Sequence, residues 1–273
     1  MIDKANEPTS KGRIGIIPGS WETGVNWGPL SDELAYQGYT PVVVNDLPVQ
    51  DPSATRSDHV RVAANALSKT DAPLSLLVAY SGGGLIVEET IKVLKSKGVD
   101  VHHIAYLSAS LGQPADHTRT DPLRGAIPPQ RNSQRFRDSI ETLADGTTIM
   151  GRRAARELLF GKVPRSLARI AIKSMQPQFR LQDPPLPEVH EIPGTYIWDP
   201  RDPVRDEAWV YAVTKALGLN TIKLDGGGHA IHLARPKALA PVLGALAGPR
   251  HRSIQVPRQR ETHEDSYSRG FDT

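Results

Sequence analysis

The stretch Leu74-Ser75-Leu76-Leu77-Val78-Ala79-Tyr80 followed by Ser81-Gly82-Gly83-Gly84 constrains this chain more than any other. An apolar run stops at a serine, turns on glycines and continues with helical composition in Leu85-Ile86-Val87-Glu88-Glu89-Thr90. A strand that reverses so sharply into a helix forces strained backbone angles on the serine and needs small neighbours two residues before and after it. Ala79 and Gly83 occupy those positions. The usual spacing is G-x-S-x-G, and alanine is small enough for the first position. Such a turn lifts the Ser81 hydroxyl out of the sheet and aims the Gly82 N–H at whatever the hydroxyl attacks. A phosphate-cradling turn is the competing interpretation. It lacks support, because G-x-x-x-x-G-K-[ST] occurs nowhere and Ser81 precedes the glycines.

Short apolar runs alternate with helical segments along the rest of the chain. Expected strands are Arg13–Ile17, a run within Tyr39–Asn45, Leu74–Tyr80, Val101–Leu107, Thr195–Trp198 and Asn220–Leu224. Expected helices lie near 28–38, 58–68, 85–90, 206–217 and 236–246. Continuous apolar strands separated by helices predict an α/β fold with a mostly parallel central sheet covered on both faces. Residues 113–190 break the rhythm with prolines, arginines and two amphipathic stretches at about 149–160 and 164–175. They read as a helical lid or cap inserted into a core of 12–112 and 191–248. Residues 1–11 read as a polar leader and 249–273 as a disordered polar tail.

A serine needs a base and an acid that orients the base. Among nine histidines, His229 follows Gly226-Gly227-Gly228 between the last strand and the final helix, where glycines let the loop bend back. His232 is the rival and is expected to pack at the start of the final segment. His102, His103, His251 and His263 read as solvated. After Ile197-Trp198, Asp199 and Asp202 compete as the acid; Asp202 lies further out, toward the histidine loop. A second oxyanion donor beside Gly82 is expected from Pro18-Gly19-Ser20-Trp21, where Pro18 has no N–H and Ser20 does. The order Ser81, Asp202, His229 is that of α/β-hydrolases.

On these motifs the chain resembles the α/β-hydrolase group that contains plant salicylate-binding methylesterases, hydroxynitrile lyases and related bacterial esterases. The resemblance covers about residues 13–247, lid included. It rests on Ile14–Trp21 with Trp27 and Asp46-Leu47, on Ala79–Gly83, on Tyr196-Ile197 with Asp202, and on Gly228–Pro236. Leu159-Phe160-Gly161 and Met175–Gln178 are similar to the group's lid helices. Pro18 and Tyr80 stand where two histidines commonly flank the site. Gly19 and Ala230 stand where the hydroxynitrile lyases carry threonine and lysine, so the resemblance implies an esterase rather than a lyase.

The expectation is therefore a serine esterase with Ser81, Asp202 and His229 as its triad. Ser20 and Gly82 supply the oxyanion hole, and Trp21, Tyr80, Phe160 and Met175 are candidates for the substrate pocket. No metal or organic cofactor is expected. The alternatives are a thioesterase, a non-hydrolytic lyase or cyclase, and a ligand-binding protein. The candidate partners are a small-molecule ester, an acyl-carrier protein and a second copy of the chain as a homodimer. The carrier enters through the 13 Arg/Lys against 8 Asp/Glu in residues 113–190, a net +5, which otherwise reads as a solvated basic face. A formal charge of only +3 without aromatic-interleaved basic stretches argues against nucleic acid. No apolar run approaches the ~20 residues of a membrane span. The absence of cysteine excludes a disulfide framework without fixing the compartment. The polar N-terminal stretch lacks the apolar core of a secretory signal, and the expected location is the cytoplasm.

Overall fold

The structure, a computed structural model, describes residues 10–70, 72–112, 133–181 and 192–248. The polar leader up to residue 9, the tail from 249, and the parts 113–132 and 182–190 of the expected lid lie outside the described residues.

Six strands form one sheet in the order β2-β1-β3-β4-β7-β8. They are β1 (Arg13–Ile17), β2 (Thr40–Val43), β3 (Leu74–Tyr80), β4 (Ile104–Leu107), β7 (Gly194–Trp198) and β8 (Asn220–Lys223). Every neighbouring pair is parallel. Parallel pairing requires a crossover between strands. These are supplied by α1 (Gly28–Tyr36), α2 (Arg56–Leu67), α3 (Val87–Ser96) and α7 (Glu207–Ala216), while the short α8 (Ile231–Ala234) and α9 (Pro236–Ala247) follow β8.

Period-2 alternation along the central strands sorts side chains between the two faces. Leu77 and Ala79 of β3, Tyr106 of β4 and Trp198 of β7 pack with Val60, Leu67, Ile91, Leu94 and Val213 from α2, α3 and α7. Leu76, Val78 and Tyr80, with Leu107 and Ile197, pack with Leu30, Leu34, Leu239 and Leu243 from α1 and α9. The strands therefore read as unbroken apolar runs because both faces are buried. β1 lies between β2 and β3, so the chain reverses direction across the sheet at the β1/β3 boundary. Open α/β sheets bind ligands in the crevice beyond the strand ends at such a boundary.

Between β4 and β7 the chain leaves the sheet. The described part of this insertion holds α4 (Ser133–Asp138) and a hairpin of β5 (Ile140–Thr142) with β6 (Thr148–Met150). It continues through α5 (Arg152–Ala154), a π-helical turn (Ala155–Leu159) and α6 (Arg165–Ser174). The helical expectation at about 149–160 needs correcting at its start, where Thr148–Met150 is strand, and in its pitch, which widens to π. The α6 expectation agrees within a residue at each end. A separate apolar cluster joins Met150, Leu158, Phe160, Val163 and Met175 of the insertion to Trp21, Val204, Ala230 and Leu233. The insertion thus packs against the loops after β1, β7 and β8. Among the described residues no helix is long and apolar enough to cross a membrane.

Candidate active site

β3 ends at Tyr80, and Ser81 takes φ +44°, a left-handed conformation that is rare for a residue with a Cβ. Backbone strain of this kind costs about 1–3 kcal/mol and persists only where the surroundings hold it. Two contacts hold it here. The Ser110 N–H donates to the Ser81 carbonyl at 2.8 Å, and a 3-10 turn (Ser81–Leu85) carries the chain into α3. Gly83 must be glycine, because a Cβ there would sit 2.5 Å from the Pro18 carbonyl oxygen and 2.6 Å from that of Ile17. The turn and the end of β1 are therefore in backbone contact.

Ser81 Oγ lies 3.0 Å from His229 Nε2, and His229 Nδ1 lies 2.8 Å from Asp202 Oδ2. All three residues are buried, with Ser81 the most exposed at 9%. Asp202 Oδ1 accepts the Val204 N–H at 2.8 Å, so both carboxylate oxygens are used. The structure thus brings together the serine, acid and base that the sequence order suggested. Asp199 does something else. Its Oδ1 accepts the Arg201 N–H at 2.8 Å and its Oδ2 the Gly228 N–H at 2.7 Å. Burial works to raise the Asp199 carboxyl, but the N–H donors of Arg201, Gly228 and Gly227, with the Arg201 guanidinium, outweigh it and hold it below its ordinary value. Asp199 therefore pins the histidine loop at Gly228, which adopts φ +60°, while Asp202 meets the imidazole.

The Ser20 N–H makes no hydrogen bond among the described residues. A Cβ on Gly82 would lie 3.1 Å from Ser20 N, so the two residues expected to supply the oxyanion donors are in contact beside Ser81. Of the four pocket candidates, Trp21, Phe160 and Met175 meet in the apolar cluster of the insertion. Tyr80 does not join them. Its position in β3 sends it to the α1/α9 face, where its ring lies 5.3 Å from His229 and 4.6 Å from His232. Burial, with the Glu22 and Asp202 carboxylates nearby, pushes its phenol well above the ordinary range.

Several residues near the site gave no recognisable sequence signal. Glu22 Oε1 lies 3.2 Å from His232 Nε2, both side chains are buried, and the His232 ring stacks on Trp27 at 4.2 Å. His232 thus packs at the start of the final segment, as expected, with a carboxylate nothing in the motif announced. Ser108, at the end of β4, is buried at φ +43°. Its carbonyl accepts Arg205 Nε–H at 2.8 Å, and Arg205 Nη2 donates to Ser110 Oγ at 2.8 Å. This ties the loop of Asp202 to the loop that holds Ser81. His103 corrects the expectation of a solvated side chain. It is half-buried with Nε2 2.9 Å from Thr195 Oγ1, and burial lowers its pKa. His251 and His263 lie outside the described residues. A groove of about 470 Å³ on the insertion, lined by Arg135, Glu141, Arg152 and Glu157 among others, contains none of the triad residues.

With the geometry in place, comparison with known proteins gives a consistent result. A search of curated proteins finds no match. Among solved structures, a pyrethroid hydrolase from Sphingobium faniae JZ-2 is similar at 20% identity and TM-score 0.66, covering 86% of this chain and 97% of that one. An extracellular alpha/beta-hydrolase from a Paenibacillus species, described as sharing homology with tobacco salicylic acid binding protein 2, has 17% identity and TM-score 0.63 over 87% and 99% of the two chains. The methylesterase MES16 from Arabidopsis has 18% identity and TM-score 0.62 over 85% and 97%. At these identities the likeness concerns the fold. The model of the alpha/beta hydrolase family matches residues 16–242, and the chain belongs to that family.

Proposed function

We propose that this protein is a serine hydrolase that cleaves a carboxylic ester of a small or medium-sized organic molecule through an acyl-enzyme. The observation that carries this reading is the continuous line from Ser81 Oγ through His229 to Asp202, at 3.0 and 2.8 Å, starting from a strained turn. The structurally similar methylesterase from Arabidopsis acts on an ester, which supports an ester as the bond cleaved here.

In the first half-reaction Ser81 Oγ bonds to the ester carbonyl carbon while His229 Nε2 takes the hydroxyl proton. The carbonyl electron pair moves onto oxygen, which the N–H groups of Ser20 and Gly82 hold. Collapse of this adduct breaks the bond to the alcohol, which leaves with the proton from His229. Water then bonds to the acyl carbon as His229 takes its proton, and the Ser81 Oγ–acyl bond breaks as His229 returns that proton to Ser81, releasing the acid. Asp202 keeps the Nδ1–H tautomer facing itself and stabilises the imidazolium.

The test is turnover of p-nitrophenyl acetate, butyrate and octanoate by the wild type and by Ser81→Ala. The reading predicts turnover with a chain-length preference, and a loss of about 10⁴-fold or more in kcat for Ser81→Ala. Undiminished turnover in Ser81→Ala would refute it. Binding of an ester without turnover by the wild type would favour the ligand-binding alternative.

A further inference from the structure

We propose that Trp21, Thr148 and Gln178 form a latch through which the insertion positions the oxyanion donor Ser20, with Gln178 a positioning residue for the hydrolysis; the inference rests on the hydrolase reading above. Trp21 follows Ser20 directly and holds φ +63°, a conformation that a bulky residue keeps only under external constraint. All three of its polar atoms are bound to the insertion. Its backbone N–H donates to Gln178 Oε1 at 3.0 Å, its carbonyl accepts the Gln176 N–H at 3.0 Å, and its indole Nε1–H donates to the Thr148 carbonyl at 2.8 Å.

The two partners are themselves locked together. Thr148 N–H donates to the Gln178 carbonyl at 2.7 Å, Gln178 N–H donates to that of Thr148 at 3.0 Å, and Thr148 Oγ donates to the Gln178 carbonyl at 3.0 Å. The indole also packs 6.0 Å from the Phe136 ring and within the insertion's apolar cluster. The segment carrying the Ser20 N–H is therefore fixed on its far side by the insertion rather than by the sheet. On its near side Glu22 N–H closes a turn onto the Gly19 carbonyl at 3.4 Å, a long bond that leaves the turn dependent on the Trp21 contacts.

An oxyanion donor acts on charge that develops in the transition state, so a displaced Ser20 N–H lowers kcat and leaves ground-state binding nearly intact. Misplacement by an ångström is enough for a large effect. The latch also makes catalysis conditional on a seated insertion, because release of Gln178 frees Trp21 to relax its φ and carry Ser20 away from Gly82.

The experiment uses the full chain as wild type, Gln178→Leu, Gln178→Glu and Trp21→Phe. Competent sites are counted by end-point fluorophosphonate titration, and kcat and KM for p-nitrophenyl butyrate are expressed per titrated site. Inhibition by butylboronic acid, whose adduct on Ser81 Oγ is tetrahedral and anionic, reports the oxyanion hole directly. Gln178→Leu is expected to lose roughly 10- to 100-fold in kcat with KM within about 2-fold, and to weaken boronate inhibition by the same factor. Gln178→Glu keeps the acceptor and is expected to stay within about 3-fold of wild type, and Trp21→Phe, which loses only the indole donor, falls between the two. Wild-type kcat per site in Gln178→Leu, or equal impairment in Gln178→Glu, would overturn the latch while leaving the hydrolase reading intact. A wild type that neither turns over ester nor takes the label would overturn the hydrolase reading and the latch with it.

Discussion

Two aspartates three residues apart on one loop do different work, and the difference is testable at single atoms. Asp202 uses Oδ2 for His229 and Asp199 uses Oδ2 for the Gly228 N–H. Asp202→Asn would set an amide against Nδ1–H and favour the wrong imidazole tautomer, so kcat is expected to fall on the order of 10³- to 10⁴-fold with little change in stability. Asp199→Asn would turn an amide N–H toward one of the backbone N–H groups the carboxylate now satisfies. Its expected effect is mainly a loss of about 1–3 kcal/mol in unfolding free energy, with kcat reduced less than in Asp202→Asn. Measuring kcat and denaturation midpoints for both variants separates the two roles. Ser81, His229 and Asp202 were legible in the sequence because each sits beside a local marker: a glycine turn, a glycine loop, a strand end. Glu22 was not. Its contact with His232 joins residues 210 positions apart, and only the folded packing of the loop after β1 against the segment after β8 brings them together.

At the scale of elements, the turn at Ser81 and the N-terminus of α2 make opposite demands on sequence. The turn needs an absence, since a Cβ on Gly83 meets two backbone carbonyl oxygens that cannot swing aside. Gly83→Ala is expected to cost about 1–3 kcal/mol and lower the thermal midpoint, with turnover lost as β1 and the turn separate. Helix α2 needs a presence. Thr55 caps it while Asp58 accepts the Thr55 N–H at 2.9 Å and hydroxyl at 2.7 Å, forming a reciprocal box. These hydrogen bonds, the Thr55 hydroxyl foremost and Arg61 contributing, pull the Asp58 carboxyl down from 3.8 to about 2. A depressed carboxylate stabilises the fold above its unfolded pKa and loses that contribution as pH falls through the folded value. The stability gap between wild type and Asp58→Asn is therefore expected to close as pH falls from about 4 to about 2, read from urea midpoints at each pH. The sequence reading begins this helix near residue 58 and does not single out the box, whose cap lies at Thr55. The β5/β6 hairpin and the π-helical turn of the insertion escaped the sequence reading. The strands are three residues each, too short for an alternation to stand out, and a helical periodicity does not distinguish a π turn from an α turn.

Across the whole molecule, the order in which the chain lays down its strands reverses between β1 and β3, and the loops leaving those two strands hold Ser20 and Ser81. The loops after β7 and β8 deliver Asp202 and His229 to the same edge. The parallel architecture was readable because strands buried on both faces must be continuously apolar. The seating of the insertion on Trp21 was not, because hydrogen bonds to main-chain carbonyls, such as that of Thr148, leave no trace in side-chain pattern. The central claim is that this arrangement activates one serine. It is tested most directly by exposing the folded protein to a fluorophosphonate and mapping the adduct by mass spectrometry, beside His229→Ala. The account predicts a single stoichiometric adduct on Ser81 in the wild type and little or none in His229→Ala over the same time. An unlabelled wild type, or labelling that ignores His229 or falls on another serine, would contradict it.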